Sequence, residues 1–298
     1  MNIPRKWLVP QKREGISVWR WLLERLLIAF GIALSVLLVS VFLFKERFMF
    51  HPSPEMAITP KDLKLLHEEK WLETPDGLKM KAWRIGLPKN AGKPVILVFH
   101  GNGGNMSHFS QWEVLASLGL TVMTIDYPGY GESEGKPSEE RTYQAAEALW
   151  QWAAAPGTPP ETIVFYGFSL GGAVAAQLAV RHPPAALILD STFTRLRDVP
   201  SARLPVLAPL LRLILGDAFD TQSRLALIRC PLLLIHSRDD DVIPFRLGEK
   251  LFAAYSNHRK IFVTGQGGHH DFLLNEALYL RKIQDFLSGI PAPASKKP

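Results

Sequence analysis

The sequence predicts an α/β fold: a mostly parallel sheet flanked by helices, behind one membrane-spanning helix. Three observations predict it. Apolar runs of strand length recur, each followed by a segment of helix length, as expected of strands buried on both faces and connected by crossovers. From Leu26 to Phe44 run 19 consecutive residues without a charge. The chain has 298 residues, 47% hydrophobic and 21% charged, with one cysteine. That composition excludes a disordered chain and a disulfide-stapled mini-domain.

As a helix, the uncharged run rises about 28 Å and matches a hydrocarbon core of about 30 Å. A buried core helix would keep a polar stripe, whereas Ser35 and Ser40 are the polar interruptions here. A cleavable signal peptide would have a shorter apolar core and a small-residue cleavage site, but the run exits through Phe44-Lys45-Glu46-Arg47. An uncleaved anchor is therefore expected. Arg5, Lys6, Lys12, Arg13, Arg20 and Arg25 precede it, and Lys45, Arg47, Lys61 and Lys64 follow. That bias predicts a cytoplasmic N-terminus and a catalytic domain on the trans side, in periplasm, lumen or exterior. The expected domains are 1–50, N-terminus and anchor, and 51–298, folded domain.

Residues 1–50 carry eight Lys/Arg and three Asp/Glu, a net +5 of the total +6. The remainder is nearly balanced and offers no basic face for phosphates, so no nucleic-acid partner is expected. Cys230 precedes an apolar run and reads as a buried structural thiol.

After a Pro-rich connector, Lys70–Thr74 and Leu78–Ile85 flank Pro75-Asp76-Gly77 and predict a hairpin. Strands are then predicted at Val95–Phe99, Thr121–Ile125, Thr162–Tyr166, Ala186–Leu189, Leu232–Ile235 and Lys260–Val263. Helices are predicted at Met106–Leu118, Ser138–Ala155, Leu170–Arg181, Pro244–Tyr255 and Asp271–Leu287. The segment 191–229 breaks the rhythm, being long, apolar and Pro-interrupted without a strand, and reads as a lid insert. The tail from Ile290 reads as disordered. Trp71, Trp83, Trp112, Trp150 and Trp152 read as packing groups.

The strongest chemical signal is Gly167-Phe168-Ser169-Leu170-Gly171, between a strand and a helix. Strand, sharp turn and helix form the context of a nucleophile elbow, in which the positions two before and two after the serine must lack bulk. A serine hydroxyl needs a base, and the base needs a carboxylate to fix its tautomer. Carboxylates follow the Leu232–Ile235 run in His236-Ser237-Arg238-Asp239-Asp240-Asp241. Histidines follow the Lys260–Val263 run in Gly267-Gly268-His269-His270-Asp271. The order Ser, Asp, His is the required one.

Three adjacent aspartates cannot all point inward, and Asp240 is favoured as the acid, with Asp190 the alternative. His269 is favoured as the base over His270, because glycines precede it. His100-Gly101-Asn102-Gly103-Gly104-Asn105 follows a strand and can aim backbone N–H groups at an oxyanion. The expected donors are the amides of Asn102 and Leu170, with His100 ordering the loop. No metal or cofactor is expected, since water resolves an acyl-enzyme.

These motifs, with Asp126-Tyr-Pro-Gly-Tyr-Gly-Glu-Ser-Glu-Gly, resemble the alpha/beta-hydrolase superfamily over about Trp71 to Leu287. Within it they resemble single-span, membrane-anchored proteins of the serine aminopeptidase and lysophospholipase-like branch. The resemblance implies an eight-stranded, mostly parallel sheet, with nucleophile Ser169, acid Asp240 and base His269 at the strands' carboxyl ends, and Asp126 as a structural residue. Ser237 departs from the pattern, where many relatives place glycine.

The implied activity is a serine hydrolase cleaving acyl esters. The anchor, with an apolar insert carrying Arg197, Arg203 and Arg212, points to the lipid bilayer as partner and to a lysophospholipid or monoacylglycerol as substrate. Short-chain carboxylesterase, protein acyl-thioesterase and peptidase are the enzymatic alternatives. A tethered binding protein on a hydrolase fold is the non-enzymatic one.

Overall fold

The computed structural model describes residues 17–86, 94–155, 158–270 and 277–290. The chain divides into two compact units on either side of the Lys45–Glu46 bond. In the first, α1 (Val18–Leu43) begins at a Ser17 cap whose hydroxyl oxygen accepts the Arg20 N–H at 3.4 Å, and none of its 26 residues is buried. It starts eight residues before the uncharged run, taking in Arg20 and Glu24, an i,i+4 pair 3.5 Å apart. The basic residues at 5, 6, 12 and 13 lie outside the described residues.

α2 (Lys45–Met49) starts at the last residue of the first unit, and the second unit continues into the two-residue β1 (His51–Pro52). The expected hairpin is β2 (His67–Glu73) and β3 (Lys79–Ile85), antiparallel around a turn that Gly77 closes at φ +80°. β4 (Val95–Phe99) follows, then β5 (Gly103–Gly104), which pairs in parallel with β1. In place of one helix over 106–118, a 3₁₀ turn at Met106–His108 precedes α3 (Gln111–Ser117), with Phe109 extended between them. Phe109 packs on Phe168, centroids 5.1 Å apart, and that contact breaks the helix.

β6 (Thr121–Ile125), α4 (Glu139–Ala153), β7 (Ile163–Phe168), α5 (Leu170–Arg181) and β8 (Ala186–Asp190) continue the alternation. The segment 191–229 holds α6 (Asp198–Arg203), α7 (Ala208–Leu215) and α8 (Thr221–Leu225), with Leu204, Val206, Leu207 and Leu213 exposed. β9 (Leu232–Ser237), α9 (Phe245–Ala254), β10 (Lys260–Gly265) and α10 (Ala277–Ser288) complete the unit. The first six residues of the helix expected from Asp271, and the tail from 291, lie outside the described residues.

Eight strands among the described residues form one sheet in the order β10-β9-β8-β7-β4-β6-β3-β2. β6, β4, β7, β8, β9 and β10 run parallel, and the β2–β3 hairpin closes one end antiparallel. Both faces are covered, so alternate residues of one strand enter different cores. Leu97 and Phe165 pack in one core, and Ile96, Val98, Val164 and Tyr166 in the other, with Trp112 of α3 and Ile283 of α10. Continuous apolar runs follow from that double burial. Trp83, Trp112, Trp150 and Trp152 are buried, but Trp71 is exposed on edge strand β2, with the Lys81 ammonium 5.2 Å over its ring. Cys230 is half-buried, and burial pushes its thiol up to about 12.

The chain runs from β4 to β6 on one side and returns to β7 on the other. Crevices at such a switch point, outside the strands' carboxyl ends, are where α/β sheets bind ligands.

Candidate active site

Ser169 sits between β7 and α5 at φ 52°, ψ −117°, a backbone conformation that costs a non-glycine residue about 1–3 kcal/mol. Its surroundings enforce it. The Ser169 N–H donates to the Asp190 carbonyl at 2.9 Å, and its own carbonyl accepts the Thr192 hydroxyl at 2.6 Å. Glycine is required around it on steric grounds. A Cβ on Gly167 would meet the Gly171 carbonyl oxygen at 2.2 Å, one on Gly171 the Phe99 oxygen at 2.0 Å, and one on Gly172 the Thr192 hydroxyl at 2.4 Å. Leu170 opens α5, so its N–H has no carbonyl partner within the helix and carries the positive end of the helix dipole.

The carboxylate comes from the loop after β9. Asp240 is 8% exposed, whereas Asp239 and Asp241 are exposed. Oδ1 of Asp240 accepts the N–H groups of Val242 and Ile243 at 2.9 and 2.7 Å, and Oδ2 accepts His269 Nδ1–H at 2.8 Å. Burial alone would raise this carboxyl. Hydrogen bonds from His236, His269 and Ile243 outweigh it and hold Asp240 well below the usual carboxylate range.

His269 follows β10 and is buried, its ring 4.8 Å from that of Phe168. With Nδ1 donating to Asp240, the neutral ring has Nε2 as its proton acceptor. The loops that carry Asp240 and His269 are bound together. Asp241 accepts the His269 N–H at 3.0 Å, Arg238 N–H donates to the Gly265 carbonyl at 2.9 Å, and the Ser237 hydroxyl donates to the Gly267 carbonyl at 2.5 Å. Ser237, the departure from the family pattern, thus joins the two loops.

Ser169, His269, His270, Gly101 and Asn102 line one cavity of about 420 Å³, with His51, Gly103, His108, Phe109, Ser110, Gln111, Phe168 and Val242. None of its lining comes from 191–229. That insert meets the Asp240 loop and α9 instead: Arg203 donates to the Asp241 carbonyl, and Arg246 of α9 to that of Ala202 at 2.7 Å.

Asp190, the alternative acid, accepts the hydroxyls of Tyr166 and Tyr279 on one oxygen at 2.5 and 2.8 Å, and Ser191 on the other at 3.2 Å. Burial raises its carboxyl despite these donors. Its carbonyl shapes the elbow while its side chain is engaged elsewhere. His270 also lines the cavity, exposed, with its ring 5.4 Å from Phe168.

His100 is buried beneath the oxyanion-type loop, and its Nδ1–H donates to the Gly101 carbonyl at 2.8 Å. Its ring stacks on Tyr127 at 4.1 Å, and Nε2 lies 3.4 Å from Asp126 Oδ1, which also accepts the Met106 N–H at 2.6 Å. Burial lowers His100 to about 4 and raises Asp126 to about 7.

Sequence reasoning missed His236. It is fully buried on β9, and its Nε2 is 2.9 Å from the Ile243 carbonyl and 3.4 Å from Asp240 Oδ2. Its signal is a histidine four residues before the acid at a strand's end. Gly248 makes room for it, since a Cβ there would lie 2.5 Å from Nδ1.

A serine on a strained turn, a buried carboxylate on an imidazole, and backbone amides at a helix start can together move a proton and stabilise an oxyanion. Comparison with known proteins agrees with the fold. A family model described as alpha/beta hydrolase fold matches residues 94–217. The Arabidopsis thaliana protein named alpha/beta hydrolase domain-containing protein WAV2 is 31% identical over 279 residues, covering 85% of this chain and 90% of the relative. The Danio rerio protein named lysophosphatidylserine lipase ABHD12 is 35% identical over 256 residues, 73% of this chain and 65% of that protein. Among solved structures, an esterase of Pyrococcus furiosus superposes with TM-score 0.65 at 21% identity, over 80% of this chain and 97% of its own. With its doubly covered sheet, its glycine-bound elbow and these relatives, the chain belongs to the alpha/beta-hydrolase superfamily.

Proposed function

We propose that this hydrolase is a membrane-anchored serine esterase that cleaves acyl esters of lipid-like molecules, a lysophospholipid or monoacylglycerol, through an acyl-enzyme. Ser169 Oγ attacks the acyl carbon as His269 Nε2 takes its proton. Asp240 stays ionised, fixing the tautomer and stabilising the imidazolium. The N–H groups of Asn102 and Leu170 receive the oxyanion, each contributing about 3 kcal/mol in the transition state. Collapse breaks the ester bond, and the departing alcohol takes the proton from Nε2. Water, deprotonated by His269, then releases the acid and restores Ser169.

The observation that carries this reading is the His269–Asp240 hydrogen bond behind a cavity that Ser169 also lines. The lipid substrate is supported by the zebrafish relative's name and by the long apolar α1. We further read 1–50 as cytoplasmic N-terminus and anchor, 51–298 as the hydrolase domain on the trans side, and 191–229 as a lid whose exposed leucines meet lipid. A second reading, short-chain carboxylesterase, is favoured by the cavity itself, whose volume of about 420 Å³ lies toward the lower end for small-molecule sites and to which the apolar insert 191–229 contributes no lining.

A fluorophosphonate probe is expected to label the wild type in membranes and to leave Ser169→Ala unlabelled. Equal labelling of both would end the assignment. Hydrolysis of nitrophenyl esters across chain lengths separates the substrates: a maximum at eight carbons or longer supports the lipid, one at acetyl or butyryl the short-chain esterase.

A further inference from the structure

The loop Gly101–Asn105 has three glycines among its five residues, yet an oxyanion donor must be held in place before the reaction. What holds it is the start of the domain. β1 pairs with β5, and the Ser53 N–H donates to the Gly104 carbonyl at 2.9 Å. Asn102 Nδ2 donates to the Met49 carbonyl at 2.7 Å. Asn105 Nδ2 donates to the carbonyls of Ser53 and Glu55 at 3.0 and 2.7 Å. The Tyr130 hydroxyl donates to the Asn102 carbonyl at 2.9 Å, and its oxygen faces the His51 backbone.

The segment is itself anchored. Phe50 is buried and meets the Phe219 ring edge-on at 6.0 Å, and the Ser53 carbonyl accepts the Gly131 N–H at 3.0 Å. None of these bonds involves Ser169, Asp240 or His269. They converge on Asn102 and the three residues after it, the part of the loop that carries the Asn102 N–H. Displacing a donor aimed at the transition state lowers kcat and leaves ground-state binding in place.

We propose that Met49–Glu55, the first segment after the apolar helix, is the positioning element of the oxyanion loop, so that the chain leaving α1 is a working part of the active site. This rests on the serine-hydrolase reading, and the two can fail separately. Two variants of the full chain in detergent micelles test it. Ser53→Pro removes the donor to Gly104. Tyr130→Phe removes the hydroxyl between His51 and Asn102 while keeping the ring, so it decides the matter if Ser53→Pro does not fold.

With p-nitrophenyl butyrate, kcat is expected to fall tenfold or more in each folded variant, with KM within twofold of wild type and a fluorophosphonate still labelling Ser169 to completion, more slowly. A kcat within twofold of wild type in Tyr130→Phe, or a raised KM at unchanged kcat, overturns the positioning role and leaves the hydrolase reading standing. Failure of the probe to label wild-type Ser169 overturns the hydrolase reading and the positioning role with it.

Discussion

Replacing Gly171 with alanine would put a methyl 2.0 Å from the Phe99 carbonyl oxygen, a backbone atom with nowhere to go. Gly171→Ala should therefore open the elbow, at a cost of at least about 2 kcal/mol in stability by urea unfolding, with loss of Ser169 labelling. Asp240→Asn keeps the shape of the acid but lets the His269 tautomer change. It should lower kcat by about 10³–10⁴-fold with KM within a few-fold, measured on a soluble ester. These residues were legible because the proposed chemistry demands their types at strand ends in a fixed order. Among the three aspartates, repulsion admits only one inward carboxylate, and the family resemblance points to Asp240. What separates them is specific partners: Asp240 faces two histidines, Asp241 caps the His269 backbone, and Asp239 is solvated. His236 escaped notice because a histidine within an apolar strand carries no periodic signal.

At the scale of elements, the α6–α7 insert presents Val206 at 89% and Leu213 at 74% exposure. If these side chains meet lipid, Val206→Ser with Leu213→Ser should lower turnover of micellar lysophospholipid several-fold and leave butyrate ester hydrolysis unchanged. Equal rates on both substrates would remove the lid's role. Five of the six parallel strands were legible because each, buried on both faces, is written as a mostly apolar run, and the partly buried edge strand β10 still shows the apolar triplet Ile261–Val263. β1 and β5 were not, because two-residue strands have no period and their pairing is made of backbone bonds across fifty residues of chain. The break before α3 was hidden for a related reason: Phe109 is apolar and fits a helix pattern, but its packing on Phe168 pulls it extended.

For the molecule as a whole, the buried groups set opposing pH dependences. Asp240, depressed, contributes stability above the unfolded value of 3.8 and loses it as pH falls through its lower folded value. His100, lowered to about 4, contributes above 6.5 and loses that as pH falls through about 4. Asp126 has the reverse sign. Raised to about 7, it favours the fold below 3.8, and that contribution is lost as pH rises through about 7. Asp126→Asn removes this loss and can still accept the Met106 N–H. Its unfolding free energy relative to wild type should therefore rise by about 2–4 kcal/mol between pH 4 and pH 8, measured in urea. A difference that does not change with pH would mean that Asp126 is ionised throughout. The span reading makes its own prediction: the full chain should stay in the membrane pellet after an alkaline carbonate wash, and a chain beginning at Glu46 should leave it.

β10 is an edge strand of the sheet, and His269 follows it, 100 residues after Ser169 in the chain. During synthesis Ser169 and Asp240 therefore emerge from the ribosome before His269, the imidazole proposed to activate the hydroxyl. If Ser169, Asp240 and His269 act as proposed, a nascent chain stalled before Lys260 lacks its general base and cannot attack esters around it until β10 docks.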